Sequence, residues 1–245
     1  MNNMPPVTKN LLIINVLMFL ATVVANGYGW DLDRLLGLHF LTSGDFRLHQ
    51  VITYMFMHGG FSHVFFNMFA VWMFGRTLEM VWGPKRFLTF YLVCGIGAGL
   101  VQELVTGVEF LTLKSGLSPE VLAQISAEGG SVLARGMNYV DPAMGSLNLL
   151  LNTPVVGASG AVYGILLGFG MLFPDERLFI FPLPLPIKAK YFVGGYAVIE
   201  LMSGMANNPG DHVAHFAHLG GMLFAFLLII YWRKKNRYNG YYYYN

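Results

Sequence analysis

The chain has 245 residues, of which 55% are hydrophobic and 11% charged, with a mean hydropathy of +0.53 and a formal net charge of +2. Soluble domains carry about a quarter charged residues, so this composition excludes an ordinary water-soluble globular protein and indicates a membrane protein. The single cysteine, Cys94, excludes a disulfide framework within the chain.

Six apolar runs, taken in chain order, predict six membrane-spanning helices. A span needs about 20 residues, and the first and fifth runs reach that length only with their flanking residues. The first run also resembles a signal-peptide core. Only Lys9 precedes it as a basic residue, and its removal would leave an odd number of spans, so we retain it as a span. The runs are Leu11–Ala25, Phe61–Trp82, Phe87–Thr106, Val155–Phe173, Tyr191–Ala206 and Val213–Trp232. The predicted fold class is an all-α membrane protein.

The distribution of basic residues predicts the orientation of this bundle. With both termini in the cytoplasm, four of the 15 Lys and Arg residues lie outside and the rest inside, in agreement with the positive-inside rule. The chain then divides into a cytoplasmic N-terminus (1–9), a six-span domain (10–232) and a basic, tyrosine-rich cytoplasmic tail (233–245). An extracytoplasmic insert (107–154) is expected to hold a short surface helix but no second folded domain.

Three spans carry polar residues at one depth. Ser159, His218 and Asn67 lie about 21, 21 and 22 Å from the predicted cytoplasmic ends of their spans, and His63 lies one helical turn above Asn67. In a hydrocarbon core about 30 Å thick, these side chains would sit roughly 8–10 Å below the outer boundary. Such residues are costly in lipid and usually face the bundle interior or a water-filled cavity.

These residue types together favour nucleophilic catalysis. A serine becomes nucleophilic when a histidine can take its proton. Ser159 begins an apolar helix, whose unpaired N–H groups and positive dipole end can stabilise an oxyanion, and His63 and Asn67 offer further donors. Tyr163 shares the face of Ser159 and could stack on or hydrogen-bond His218. We find no Asp or Glu at this depth to orient His218, so the sequence predicts a Ser–His dyad.

Small residues predict close packing around this site. Gly160, Gly164 and Gly168 form a stripe on the fourth span, and Gly221 forms a small pair with Ala225 on the sixth. Small residues allow two helix backbones to approach closely. We therefore expect the fourth and sixth spans to pack together and to bring Ser159 within reach of His218.

Three motifs in this order resemble the rhomboid family of intramembrane serine proteases. They are His58, His63 and Asn67 in the second span, Gly157-Ala158-Ser159-Gly160 with Tyr163 in the fourth, and Ala217-His218-Leu219-Gly220-Gly221 in the sixth. The resemblance covers roughly residues 10–232. One departure is Phe46-Arg47, where the family often shows Trp-Arg in its first loop, and the insert before Pro154 is also less typical.

The resemblance implies a six-span rhomboid bundle that cleaves transmembrane substrates near the outer face through an acyl-enzyme. It implies Ser159 as nucleophile, His218 as base, and His63 and Asn67 as oxyanion donors beside the Ser159 N–H. We group Gly157 with the oxyanion and substrate residues, and His58 and Tyr163 as supporting residues. The expected partners are single-span membrane proteins and the lipid bilayer, with no nucleic acid, metal or cofactor. The expected location is the bacterial inner (plasma) membrane.

Alternatives remain for the function and for individual residues. The chain could be a catalytically inactive rhomboid-like protein that only binds membrane proteins, or a small transporter whose histidines bind protons or metal. His215 and His212 compete with His218 for the role of base, although depth favours His218. His58 is interpreted as a structural hydrogen-bonding residue, and Glu200, inside the fifth span, as a paired or protonated structural group.

Overall fold

The structure, a computed structural model, describes residues 4–179, 186–206 and 213–238. Helices dominate these residues. A 3₁₀ turn (Tyr54–Phe56) precedes α4, a π-helical turn (Val71–Gly75) joins α4 to α5, and two short strands, β1 (Arg177–Leu178) and β2 (Ile187–Lys188), pair antiparallel. The helices are α1 (Pro6–Gly27), α2 (Leu32–Leu36), α3 (Gln50–Thr53), α4 (Phe61–Ala70), α5 (Arg76–Trp82), α6 (Pro84–Ser115), α7 (Pro119–Ala134), α8 (Pro142–Asn152), α9 (Ser159–Leu172), α10 (Ala189–Ala206) and α11 (His215–Tyr238).

Four helical segments among the described residues are long and apolar enough to cross a membrane. They are Pro6–Gly27, Phe61–Trp82, Pro84–Ser115 and His215–Lys235, and α9 is a shorter apolar helix. The chain is therefore an all-α integral membrane protein. The helices α9 and α10 occupy the predicted fourth and fifth spans, and the count of six crossings stays a prediction.

The fourth helix begins later than its apolar run. The run starts at Val155, but Val155 and Leu38 exchange two backbone hydrogen bonds of 2.8 and 2.9 Å, and the Gly157 N–H donates to the Tyr54 carbonyl at 2.9 Å. Because these residues use their backbone groups outside a helix, α9 starts only at Ser159. Its 14 residues span about 20 Å, so Ser159 stands at a helix N-terminus part-way through the bundle.

The segment after the third span is more helical than expected. Helix α6 runs to Ser115, nine residues beyond the predicted end at Thr106, and α7 and α8 follow it. Helices α7 and α8 pack together through the buried Asn148, whose amide donates to the Gly129 carbonyl at 3.3 Å. The insert thus holds two packed helices where the sequence predicted one short surface helix.

One end of the bundle holds both the beginning of α1 and the end of α5. The buried Glu79 carboxylate of α5 accepts hydrogen bonds from the Thr8 N–H and hydroxyl, both at 2.7 Å, and so caps α1. The indole rings of Trp82 and Trp232 meet edge to face with centroids 5.5 Å apart, which brings the end of α11 to the same place. We call this the tryptophan end.

Phe46 and Arg47, which stand where the first loop of the resembled family often shows Trp-Arg, both make contacts in this structure. Phe46 is partly buried against the core, and Arg47 Nη1 donates to the carbonyls of Gly44 and Phe46 at 2.9 and 2.7 Å. Unlike a tryptophan side chain, the phenyl side chain has no N–H group that needs a partner, so Phe46 can pack here without a side-chain hydrogen bond.

Candidate active site

A cavity of about 1190 Å³ is lined by residues from several helices, among them α4, α9 and α11. Its lining includes Ser159 and Tyr163 from α9, His63 and Asn67 from α4, and His218 from α11. The structure thus brings together the side chains that the sequence placed at one depth. They lie at the end of the bundle opposite the tryptophan end, since His63 is in the first turn of α4 and His218 in the first turn of α11.

Gly157 sits between His63 and Ser159 and has a conformation that favours glycine. Its φ is 134°, a region that residues with a Cβ rarely adopt. A Cβ added there would lie 2.8 Å from both Cε1 and Nε2 of His63, and 3.4 Å from the Ser159 Oγ. The Gly157 N–H is already bonded to Tyr54, so this residue contributes space to the site rather than an oxyanion donor.

Asn67 offers an amide donor in the cavity that Ser159 also lines. The residue is 6% exposed, and its Nδ2 has no hydrogen-bond partner among the described residues. A buried polar group without a partner costs free energy, and such a group is expected where a ligand supplies the missing acceptor. The Asn67 amide therefore suits an oxyanion that forms only during a reaction.

His58 supports His63 by ring contact. The two imidazole rings meet edge to face, with centroids 5.0 Å apart and an interplanar angle of 71°. His58 is fully buried before the start of α4, whereas His63 lines the cavity. Both ring nitrogens of His58 are buried without a hydrogen-bond partner among the described residues. The structure therefore gives His58 a packing contact and does not bear out its interpretation as a hydrogen-bonding residue.

Tyr163 stacks on His218, as its position one turn after Ser159 suggested. The two rings are nearly parallel, with centroids 4.1 Å apart and an interplanar angle of 9°. His218 is 7% exposed. Stacking on one face and burial together restrict the rotation of the imidazole, so His218 is held in one ring plane inside the cavity wall.

The expectation that no acidic residue orients His218 is wrong. Glu200 of α10 places Oε2 2.9 Å from the Nδ1 of His218. The same Oε2 lies 2.6 Å from the Nδ1 of His215, and the Tyr163 hydroxyl donates to Oε1. Glu200 is 5% exposed, so its interpretation as a paired group is confirmed, and its pairing includes the candidate base.

A comparison of backbone depths along the spans does not predict this contact. Counted from Tyr191, the predicted start of the fifth span, Glu200 lies about 13.5 Å along the helix axis, well short of the depth of His218. Helix α10 begins at Ala189, which adds about 3 Å. The 2.9 Å contact shows that the glutamate side chain nevertheless reaches His218. The usable sequence signal was a charged residue inside an apolar helix, which normally has a partner.

The structure distinguishes only in part between His218 and the alternative bases His215 and His212. His215 and His218 share one carboxylate oxygen, but only His218 stacks on Tyr163. His212 lies outside the described residues. The ligand atoms of Glu200, His215 and His218 lie within 4.8 Å of one another, so these three residues could also hold a metal ion.

The glycine stripe of α9 packs against two helices. A Cβ at Gly160 would overlap Ala98 of α6, and one at Gly221 of α11 would overlap the Gly160 backbone. At Gly164, a Cβ would lie 2.7 Å from the Cys94 side chain of α6 and 3.1 Å from the Gly221 carbonyl. The close approach of the fourth and sixth helices is therefore confirmed, and α6 closes the other side of α9.

Gly168 belongs to the same stripe but has other neighbours. A Cβ there would lie 3.1 Å from both Leu78 of α5 and Phe90 of α6. The stripe thus changes partners along α9, from α6 and α11 near Ser159 to α5 and α6 toward the tryptophan end.

Comparison with known proteins places this site in a family. The family model "Rhomboid domain" matches residues 45–235. RHOMBOID-like protein 12, mitochondrial, of Arabidopsis thaliana is 29% identical over 217 residues, which cover 88% of this chain and 55% of that protein. Rhomboid protease GlpG of Haemophilus influenzae is 27% identical over 165 residues, 66% of this chain and 81% of that protein.

A third relative, Putative rhomboid protease YdcA of Bacillus subtilis, is 25% identical over 190 residues, 77% of this chain and 69% of that protein. The chain spans about half the length of the mitochondrial and chloroplastic curated relatives it matches. The family model covers well over half of the chain and includes every residue of the cavity described above. The chain therefore belongs to the rhomboid family.

Proposed function

We propose that this protein is an intramembrane serine endopeptidase that cleaves transmembrane segments of other membrane proteins. The observation that carries the proposal is the shared cavity. It combines a serine at a helix N-terminus, a buried histidine stacked in one ring plane, and an asparagine amide with no partner among the described residues. Family membership supports the same activity, since relatives are named rhomboid proteases.

In the proposed reaction, the Ser159 Oγ attacks the scissile carbonyl carbon and His218 takes the serine proton. The carbonyl oxygen becomes an oxyanion, which accepts hydrogen bonds from the Ser159 N–H and the side chains of Asn67 and His63. When the C–N bond breaks, the amine leaves with the proton from His218 and an acyl-enzyme remains. Water then attacks the ester carbonyl carbon and gives a proton to His218. As the C–O bond to Ser159 breaks, His218 returns that proton to the Ser159 Oγ, which releases the acid product and restores the free serine.

The depth of the site indicates where along its span a substrate would be cut. Counted from Leu172, Ser159 lies about 20 Å along the helix axis, so in a hydrocarbon core about 30 Å thick it would sit within roughly 10 Å of one boundary. We assign this boundary to the outer face, with both termini cytoplasmic and six crossings. The shared position of the α1 start and the α11 end at the tryptophan end supports an even number. The bacterial inner membrane remains the proposed location.

A continuous substrate helix would keep its scissile carbonyl in an intrahelical hydrogen bond. We therefore infer that the substrate is a single-span protein that unwinds locally near the outer end of its span. Space beside Ser159 is narrow, since a Cβ at Gly157 would lie 3.4 Å from the Ser159 Oγ and 2.8 Å from the His63 ring. This favours a small residue, such as alanine, immediately before the cut.

A fluorophosphonate probe tests the proposal, since it labels only an activated serine. We expect labelling of the purified wild-type protein and cleavage of one or more proteins in a panel of labelled single-span substrates. Both should be lost in Ser159→Ala, which removes one small polar group and should keep the thermal unfolding midpoint. Absence of both in the wild type would support the catalytically inactive, membrane-protein-binding alternative. Histidine-dependent metal or proton transport without labelling would support the transporter.

A further inference from the structure

We propose that Glu200 is a positioning residue for His218, so that the site operates as a Ser159–His218–Glu200 triad rather than as a dyad. This inference rests on the proposed function, because it assigns a role within the same reaction. It concerns how the base is oriented and stabilised, and it gives a chemical purpose to a carboxylate buried inside a predicted span.

The first argument is the choice of tautomer. A carboxylate oxygen that accepts a hydrogen bond from Nδ1 requires the hydrogen to be on Nδ1, and the 2.9 Å contact between Glu200 Oε2 and His218 Nδ1 fits that tautomer. In the neutral imidazole the other nitrogen, Nε2, then carries the free lone pair. That lone pair is the one able to accept the Ser159 proton. With the opposite tautomer, His218 would present an N–H group to the serine and could not act as the base.

The second argument is charge stabilisation. When His218 takes the serine proton it becomes a cation, and the side chains of His218 and Glu200 are only 9% and 7% exposed. A charge pair is worth more at such a site than in water, so the adjacent carboxylate stabilises the imidazolium that forms in the transition state. The other charged or titratable groups facing His218 among the described residues are His63, Tyr163 and His215.

The third argument is that Glu200 is itself fixed. Its Oε1 accepts from the Tyr163 hydroxyl, and its Oε2 also accepts from the Nδ1 of His215 at 2.6 Å. Tyr163 therefore touches both members of the pair, with its ring on His218 and its hydroxyl on Glu200. A carboxylate held from three sides cannot turn away from His218, so the imidazole keeps one orientation through the reaction.

The test compares Glu200→Gln and Glu200→Asp with the wild type, with rates expressed per site titrated by the fluorophosphonate probe. Glutamine keeps the size and one acceptor oxygen but removes the charge. We expect kcat to fall by about 10²–10⁴-fold, KM to stay within about twofold, and the thermal midpoint to change little. Aspartate keeps the charge, so Glu200→Asp should recover part of the lost kcat.

Glu103→Gln is the matched control. Glu103 is a carboxylate of α6 that accepts a hydrogen bond from the Leu41 N–H at 2.9 Å and lies outside the cavity lining. Its substitution should leave kcat and KM unchanged.

Two results would overturn the inference. A wild-type kcat in Glu200→Gln would show that the carboxylate does not assist His218, and it would leave the proposed protease function intact. A loss of kcat in both Glu200 variants that is matched by a lower thermal midpoint, with no recovery by aspartate, would assign Glu200 a structural role. A wild-type protein without Ser159-dependent labelling would instead refute the proposed function itself.

Discussion

Replacing Gly164 by valine should separate the helices that hold Ser159 and His218. A Cβ at this position would lie 2.7 Å from the Cys94 side chain on one side and 3.1 Å from the Gly221 carbonyl on the other. The Cys94 Cβ and the Gly221 carbonyl are held by their own backbones, so a helix must move. Overpacking of this kind costs about 1–3 kcal/mol, which corresponds to a fall of about 2–12 °C in the thermal midpoint. Proteolysis should fall as well, because α9 carries the proposed nucleophile and α11 the proposed base.

Gly195→Val provides the matched control in a thermal unfolding assay in detergent. Gly195 lies in α10, and a Cβ added there meets nothing within 4 Å, so this variant should keep the wild-type midpoint and activity. A midpoint for Gly164→Val equal to that of Gly195→Val would refute the packing of α9 between α6 and α11. The double variant Gly164→Ala with Cys94→Gly, which removes the clash on one side, should be more stable than Gly164→Ala alone.

Three further predictions concern the oxyanion donor, the helix cap and the substrate. Asn67→Ala should lower turnover by about 10²–10³-fold at saturating substrate, and an effect confined to KM would contradict a donor that acts only in the transition state. Glu79→Gln should lower the thermal midpoint, because the carboxylate caps α1 through Thr8, yet the folded fraction should keep the wild-type kcat, since Glu79 lies at the tryptophan end. Glycine or proline in the outer part of a substrate span should raise cleavage and a run of leucine should suppress it. Mass spectrometry of the products would locate the cut. A cut in the cytoplasmic half of the substrate span would contradict the proposed orientation.

Several residues of the candidate site could be predicted from residue types and their spacing in the sequence. Ser159, His218 and Asn67 were matched from the lengths of their apolar runs, and the structure gathers all three around one cavity. This worked because the rise of a helix is constant, so sequence distance along a span is a good measure of depth. The stacking of Tyr163 on His218 followed from the same helical spacing.

The depth of a residue along its helix gives no information on how the helix is rotated about its axis or on how far a side chain reaches. The contacts of Glu200 join residues that are 18 and 37 positions apart in the chain, and they exist only because α10 turns this one side chain toward α9 and α11. The use of the Gly157 N–H by Tyr54 depends likewise on a loop that precedes α4 by several residues. The sequence indicates that Glu200 should have a partner, because it is a charged residue inside an apolar helix, but it does not indicate which one. The bond between Gly157 and Tyr54 has no local signal in the sequence.

The sequence by itself determined that this is a membrane protein, and it predicted that polar residues from different helices would come together. Composition and apolar run length decide that outcome, because lipid accepts only segments whose backbone groups are satisfied internally. The tertiary structure alone decided where α9 begins, how the insert folds, and which carboxylate meets His218. Those features depend on hydrogen bonds and packing between distant segments, whose partners are chosen only when the helices come together.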